Sequence, residues 1–136
     1  MQGLIVDFVG VLDGTDEEQR RWKALLSAVR QHGIPVAILS NDPGGPGAQP
    51  IRDFQEQGYV DAVVLSGEIG YAKPDAEAFA AAATAIGIVP NDCVMVDDSI
   101  LNVRAAVEAG LVGVYFQQFD RSVVEITRLF GIDGDF

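Results

Sequence analysis

The sequence predicts an α/β domain, a parallel five-stranded sheet with helices on both faces. Apolar runs alternate with helical segments from one end of the chain to the other, as in strands joined by crossover helices. The runs are near-continuous rather than alternating, as strands buried on both faces are. Acidic and polar residues gather just past the runs and leave their interiors clean. This gives the sheet one functional edge, because ligands of open α/β sheets bind beyond the strands' carboxyl ends.

The elements follow in order. The first strand is Gly3 to Val9, with Asp7 near its tip and Gly10 as the turn. Asp16, Glu17 and Glu18 form an acidic first turn, favourable at a helix N-terminus. That helix runs to about Gln31, has Trp22, Leu25, Leu26 and Val29 on one face, and ends at His32-Gly33. The second strand is Val36 to Leu39, leading into Ser40-Asn41-Asp42. Pro43 to Pro50 is too rich in Pro and Gly for regular structure, so it reads as a loop, either a plain connection or a lid or partner surface. A short helix spans Ile51 to Gln57, and the third strand Ala62 to Leu65. A loop from Ser66 to Pro74 brings Lys73, and a helix follows from Asp75 to Ile86. The fourth strand, Cys93 to Val96, leads into Asp97-Asp98-Ser99 and a helix from Ile100 to Ala109. The fifth strand is Val112 to Phe116, and a last helix spans about Arg121 to Phe130. With no internal repeat and no long linker, residues 1–136 read as a single domain.

Composition narrows the function. The 136 residues, 49% of them apolar, suffice for a real core. Twenty acidic residues against 9 basic ones give a formal charge of −11. That excludes nucleic acid or an anionic membrane surface as the main partner, since both attract basic patches. No apolar stretch approaches the ~18 residues of a membrane span, and the N-terminus lacks the pattern of a secretory leader. Cys93 is the single cysteine, so no intrachain disulfide forms, and a cytoplasmic location fits. Within Cys93-Val94-Met95-Val96 it reads as a buried small hydrophobe. His32, the only histidine, reads as a helix-terminal residue, and Trp22 as core.

At the functional edge the first strand supplies Asp7, the second Ser40 and Asn41, the fourth Asp97 and Asp98, and the loop after the third Lys73. Clustered carboxylates raise one another's pKa unless a cation neutralises them, and oxygen ligands suit Mg²⁺. A hydroxyl, neighbouring backbone N–H groups and a lysine suit a phosphoryl group. Asp7 is then a plausible nucleophile. Each residue also has a plainer reading: Asp98 or Ser99 as a helix cap, Ser40-Asn41 as a turn, Lys73 as a surface lysine.

The segments DFVGVL, LSN, AKPD and VDDSILNVRAAVEAG, in this order and at strand ends, resemble the four motifs of the haloacid dehalogenase superfamily. Most members of that family are Mg²⁺-dependent phosphatases. The resemblance covers nearly the whole chain and implies a Rossmann-like three-layer α/β/α core. It implies that Asp7 is the nucleophile and a Mg²⁺ ligand, with the Val9 backbone carbonyl as a second ligand. Ser40 and the Asn41 backbone would bind phosphate, and Lys73 would orient Asp7 and neutralise charge. Asp97 and Asp98 would complete the metal site, and Asn102 would support that loop.

The chain departs from the family pattern at Val9, where family phosphatases carry a second aspartate that protonates the leaving group and activates water. Such help is typically worth ~10²–10⁴-fold. Asp13 and Asp42 stand near the motifs as substitutes, though a solvated loop role is the plainer reading of each. Family dehalogenases also lack the second aspartate but work without Mg²⁺, and the Asp97-Asp98 pair argues against that reading. The short spacings between motifs leave no room for a cap domain, so an open site is expected. Its partner would be a phosphorylated small molecule, a phosphorylated macromolecule or a protein that lends a lid. The expectation is a weak Mg²⁺-dependent phosphohydrolase or phosphotransferase; the alternative is an inactive module that binds a phosphoryl ligand or a protein.

Overall fold

The computed structural model describes residues 1–136. Its centre is one parallel sheet of five strands: β1 (Gly3–Val6), β2 (Val36–Ser40), β3 (Ala62–Leu65), β4 (Cys93–Asp97) and β5 (Val112–Tyr115). Their spatial order is β3-β2-β1-β4-β5. Six α-helices connect and follow them: α1 (Asp16–Gln31), α2 (Gln49–Glu56), α3 (Ser66–Ile69), α4 (Ala76–Ala85), α5 (Ile100–Glu108) and α6 (Phe119–Phe130). This is the predicted three-layer α/β/α arrangement, and no further folded unit is inserted between the strands. No helix is long and apolar enough to cross a membrane.

Side chains alternate across the sheet and divide the core in two. Leu4, Val6, Val36, Ile38, Val94 and Val96 face one layer, where they meet Trp22, Leu25, Leu26 and Val29 of α1 and Ile126 of α6. Ile5, Ala37, Leu39, Cys93 and Met95 face the other, against Ala78, Phe79, Ala82 and Ala83 of α4 and Ala106 of α5. Burying one large apolar side chain contributes about 1.5–3 kcal/mol, so both layers matter to stability. Thr15 caps α1 by accepting from the Glu18 N–H at 3.2 Å, and Ser99 caps α5 by accepting from the Asn102 N–H at 3.4 Å.

The strand order fixes where a ligand belongs. From β1 the chain moves outward to β2 and β3, then returns to the other side of β1 as β4. The switch in direction opens a crevice between the carboxyl ends of β1 and β4. Register aligns Val6 with Val96 there, so Asp7 and Asp97 emerge side by side.

Several boundaries differ from the sequence reading. β1 ends at Val6, because Phe8 to Leu12 form turns closed by Val11 and Leu12 N–H groups donating to the Phe8 carbonyl. Val11 and Leu12 are nonetheless buried, so their hydrophobicity reported burial rather than strand. Ser66–Ile69 forms a helical turn instead of loop, and α2 starts at Gln49, with Pro50 in its first turn, where a missing N–H is tolerated.

Candidate active site

Asp7 follows β1 directly, and its N–H still donates to the Val96 carbonyl at 2.9 Å. Its carboxylate is therefore placed by the sheet itself. Asp97 is the last residue of β4 and fully buried, and Lys73 enters from the loop after α3. The Lys73 ammonium donates to Asp7 Oδ1 and to Asp97 Oδ2, both at 2.8 Å. Three ionisable side chains that are almost wholly buried thus form one continuous unit.

The surrounding residues hold this unit in place. Asp97 Oδ1 accepts from the Ser99 N–H at 2.9 Å, and Asp97 Oδ2 from the Asn102 amide at 3.3 Å. Asn102 thus reaches back from the first turn of α5 to the end of β4. The Asn41 side chain clasps the Lys73 backbone both ways, donating to its carbonyl at 3.0 Å and accepting from its N–H at 2.9 Å. That side-chain role was not read from the sequence, which assigned Asn41 through its backbone. Ser40, the last residue of β2, is buried and lies in register with Leu65 of β3.

The electrostatics leave an imbalance. Asp7, Asp97 and Asp98 have carboxylate oxygens within 4.8 Å of one another. Only Lys73 opposes them, so three negative charges face one positive charge. Burial, and after it the neighbouring Asp97 charge, pushes the Asp7 carboxyl up to about 7 against the opposing pull of Lys73. An all-oxygen set with excess negative charge fits a hard divalent cation such as Mg²⁺. Asp98 is the exposed member.

Gly10 explains how the first loop meets the fourth. Its φ is +82°, and a Cβ there would overlap the Asp98 carboxylate. Gly67 plays the same part for the second loop, since a Cβ there would run into the Pro43 carbonyl. The Gly67 N–H donates to the Asp42 carbonyl at 2.9 Å, and Asp42 Oδ1 accepts from the Gly44 N–H at 2.8 Å. The loop from Pro43 is thus tied at its base to α3, which favours connection over lid. Among the substitutes for the missing acid, Asp13 Oδ1 accepts from the Gly10 N–H at 2.7 Å and braces the first turn. Both Asp13 and Asp42 are thus engaged by their own loops. Val9 points no carboxylate at the site and is exposed. His32 Nδ1 lies 2.8 Å from the Ala28 carbonyl at the end of α1. Burial pushes the Cys93 thiol up to about 11, keeping it unreactive.

Five depressions of 310–450 Å³ on the surface are lined by residues other than Asp7, Ser40, Lys73 and Asp97.

Comparison with known proteins agrees with this geometry. A family model described as haloacid dehalogenase-like hydrolase matches residues 3–110. Phosphoserine phosphatase from Thermus thermophilus is 32% identical over 113 residues, covering 72% of this chain and 42% of that protein. The chain spans only 36% to 42% of the first curated relatives it matches. A crystal structure of an uncharacterized protein from Corynebacterium glutamicum superposes with a TM-score of 0.99 at 65% identity, covering 100% of this chain and 99% of that one. A haloacid dehalogenase family enzyme from Bacteroides thetaiotaomicron, solved with magnesium and inorganic phosphate, shares the fold with a TM-score of 0.68 at 18% identity, covering 89% of this chain and 98% of that one.

Proposed function

Because the chain belongs to the haloacid dehalogenase-like hydrolases, we propose that it is a Mg²⁺-dependent phosphohydrolase or phosphotransferase that works through Asp7. The observation that supports this most is the buried Lys73 ammonium bridging Asp7 and Asp97 at 2.8 Å each. It holds the Asp7 carboxylate in one orientation and leaves Oδ2 of Asp7 without that partner. The phosphatases among its relatives and the magnesium and phosphate bound to a protein of the same fold point the same way.

Asp7 is the nucleophile: its free carboxylate oxygen attacks phosphorus, and the bond from phosphorus to the leaving oxygen breaks. Ser40 and the Asn41 backbone receive the phosphoryl oxygens. Lys73 favours the ionised form of Asp7 against the effect of burial and offsets the charge that gathers on the phosphoryl group. Asp7, Asp97, Asp98 and the Val9 carbonyl are the residues that would hold Mg²⁺, which supplies charge neutralisation when bound. A water then attacks the aspartyl-phosphate, restoring the Asp7 carboxylate and releasing phosphate.

Val9 limits both steps, because it neither protonates a leaving group nor takes a proton from water. Substrates whose leaving groups need little protonation, acyl phosphates and aryl esters, suit such a site. The second reading is a module that binds a phosphoryl ligand or a protein without turnover, and exposed Val9 in the acid/base position favours it. Hydrolysis of p-nitrophenyl phosphate with Mg²⁺ decides between them. Turnover by the wild type that Asp7→Asn abolishes is expected; equal rates for the two remove the catalytic reading.

A further inference from the structure

Nine large apolar side chains are exposed, and five of them stand at one edge of the molecule. Val9 follows β1, Tyr71 lies between α3 and Lys73, Ile100 and Leu101 open α5 directly after β4, and Tyr115 ends β5. Four of them end or closely follow strands at their carboxyl ends, and Tyr71 stands two residues before Lys73. The remaining four are Met1, Val89, Val107 and Val124, scattered over a terminus, a connection before β4 and two helix backs. Scattered apolar residues are normal on any surface; a group gathered round a polar pit is not.

Continuity supports the grouping. Gly10 abuts the Asp98 carboxylate. That joins the loop carrying Val9, one residue before Gly10, to the segment carrying Ile100 and Leu101, which follow Asp98 by two and three residues. Tyr115 is paired in register with Asp97. Val9 and Leu101 are the most exposed of the group, at 61% and 67%.

The charges around the mouth are equally one-sided. The segments that follow the strands are 8–15, 41–48, 66–72, 98–101 and 116–118, and none holds a lysine or arginine. They do hold Asp13, Asp42, Glu68 and Asp98. Lys73 is already occupied by two carboxylates, and Arg52, which reaches Glu68 from α2, is occupied by that carboxylate at 2.9 Å. The segments themselves offer no lysine or arginine to a second phosphate or a carboxylate on the substrate's organic half.

We infer that Val9, Ile100 and Leu101 bind the organic half of the substrate, which is therefore an apolar, uncharged acyl or aryl group carrying a single phosphate. The inference rests on the phosphoryl-transfer reading of the same site. Asp7 Oδ forms the bond to phosphorus, the bond from phosphorus to the acyl or aryl oxygen breaks, and the carboxylate or phenolate departs with the electron pair. On this view the apolar residue at position 9 gives up acid/base help and adds a contact for a leaving group that does not need it.

Binding tests the rim whether or not the site turns over. Methyl-, butyl- and octylphosphonate, titrated calorimetrically with Mg²⁺ present, keep the headgroup fixed while the apolar chain grows. A fully buried methylene is worth about fourfold in affinity, and about twofold where half its surface stays wet. Binding should tighten about twofold per methylene over the first few carbons, require Mg²⁺, and lose most of this gradient in Leu101→Ser and Val9→Ser, both mostly exposed positions where folding is checked by thermal melting. An equal affinity across the series overturns the inference, as does a gradient that both variants retain or that persists without Mg²⁺. Acyl phosphates of growing chain, which all leave as carboxylates of nearly equal acidity, then separate the two readings. Turnover that Asp7→Asn abolishes, without selection for longer chains, sinks the rim and keeps phosphoryl transfer. A phosphonate gradient with equal rates for wild type and Asp7→Asn keeps the rim as a binding surface and sinks the catalytic reading.

Discussion

At the scale of single residues, Asp7 sets the chemistry and its pH dependence. Its carboxyl titrates near 7 in the folded chain and near 3.8 when unfolded. As pH rises above about 4 the unfolded chain releases this proton first, so Asp7 lowers stability progressively until about pH 7, beyond which its contribution is constant. Urea unfolding of the metal-free protein at pH 5 and pH 7 should therefore show wild type losing stability relative to Asp7→Asn; parallel behaviour of the two would contradict a raised Asp7 carboxyl. Lys73 has the opposite role. Removing one partner of a buried ion pair leaves charge unsatisfied, a loss of about 3–5 kcal/mol. Lys73→Met should unfold far below wild-type denaturant concentration at pH 8 and recover part of that stability at pH 5, where Asp7 takes a proton. Val9 yields the complementary gain. If only the proton relay is missing, Val9→Asp should raise hydrolysis of alkyl phosphates, whose leaving groups need protonation, by about 10²–10⁴-fold. An unchanged rate with Mg²⁺ still bound would place the defect elsewhere.

At the scale of elements, the site is a junction of loops whose separation in sequence is large. Lys73 and Asp7 are 66 residues apart. Asp7 was legible because a carboxylate interrupting an apolar run is visible in sequence, and Lys73 because it stands before Pro74 at the start of a helix, in a family-like segment. The hydrogen bonds that join them were not, since pairing depends on which strands become neighbours. The same limit hid the clasp of Asn41 on Lys73, and the approach of Gly10 to Asp98. β1 was read three residues too long because Phe8, Val9, Val11 and Leu12 extend the apolar pattern through a turn whose buried members pack under the loop. Ser66–Ile69 lacked any pattern long enough to signal its helical turn. Those close approaches make their own prediction. Gly10→Ala adds strain at φ +82° and overlap with Asp98, so it should lower stability by more than ~1 kcal/mol and weaken Mg²⁺ binding. Retention of wild-type melting and Mg²⁺ affinity would mean that the first loop is free to move away from Asp98.

At the scale of the whole molecule, the charge of −11 complicates any claim about a metal. Salt of any kind screens repulsion among surface carboxylates and stabilises an acidic chain somewhat. A specific site differs in two ways: it saturates, and it depends on particular carboxylates. A ligand that binds only the folded state adds RT ln(1 + [L]/Kd), about 2.7 kcal/mol at a hundredfold excess over Kd. For a chain of this size each kcal/mol shifts the melting temperature by roughly 3 °C, so saturating Mg²⁺ should raise it by about 8 °C above the value in NaCl of equal ionic strength. Asp98 is the carboxylate best suited to test this, because it is exposed and outside the Lys73 bridge. Asp98→Asn should leave the NaCl response in place while reducing the extra Mg²⁺ increment, and EDTA should erase that increment in wild type. If Mg²⁺ and NaCl act alike at equal ionic strength, Lys73 alone offsets the buried pair of Asp7 and Asp97, and the case for metal-assisted chemistry at Asp7 falls.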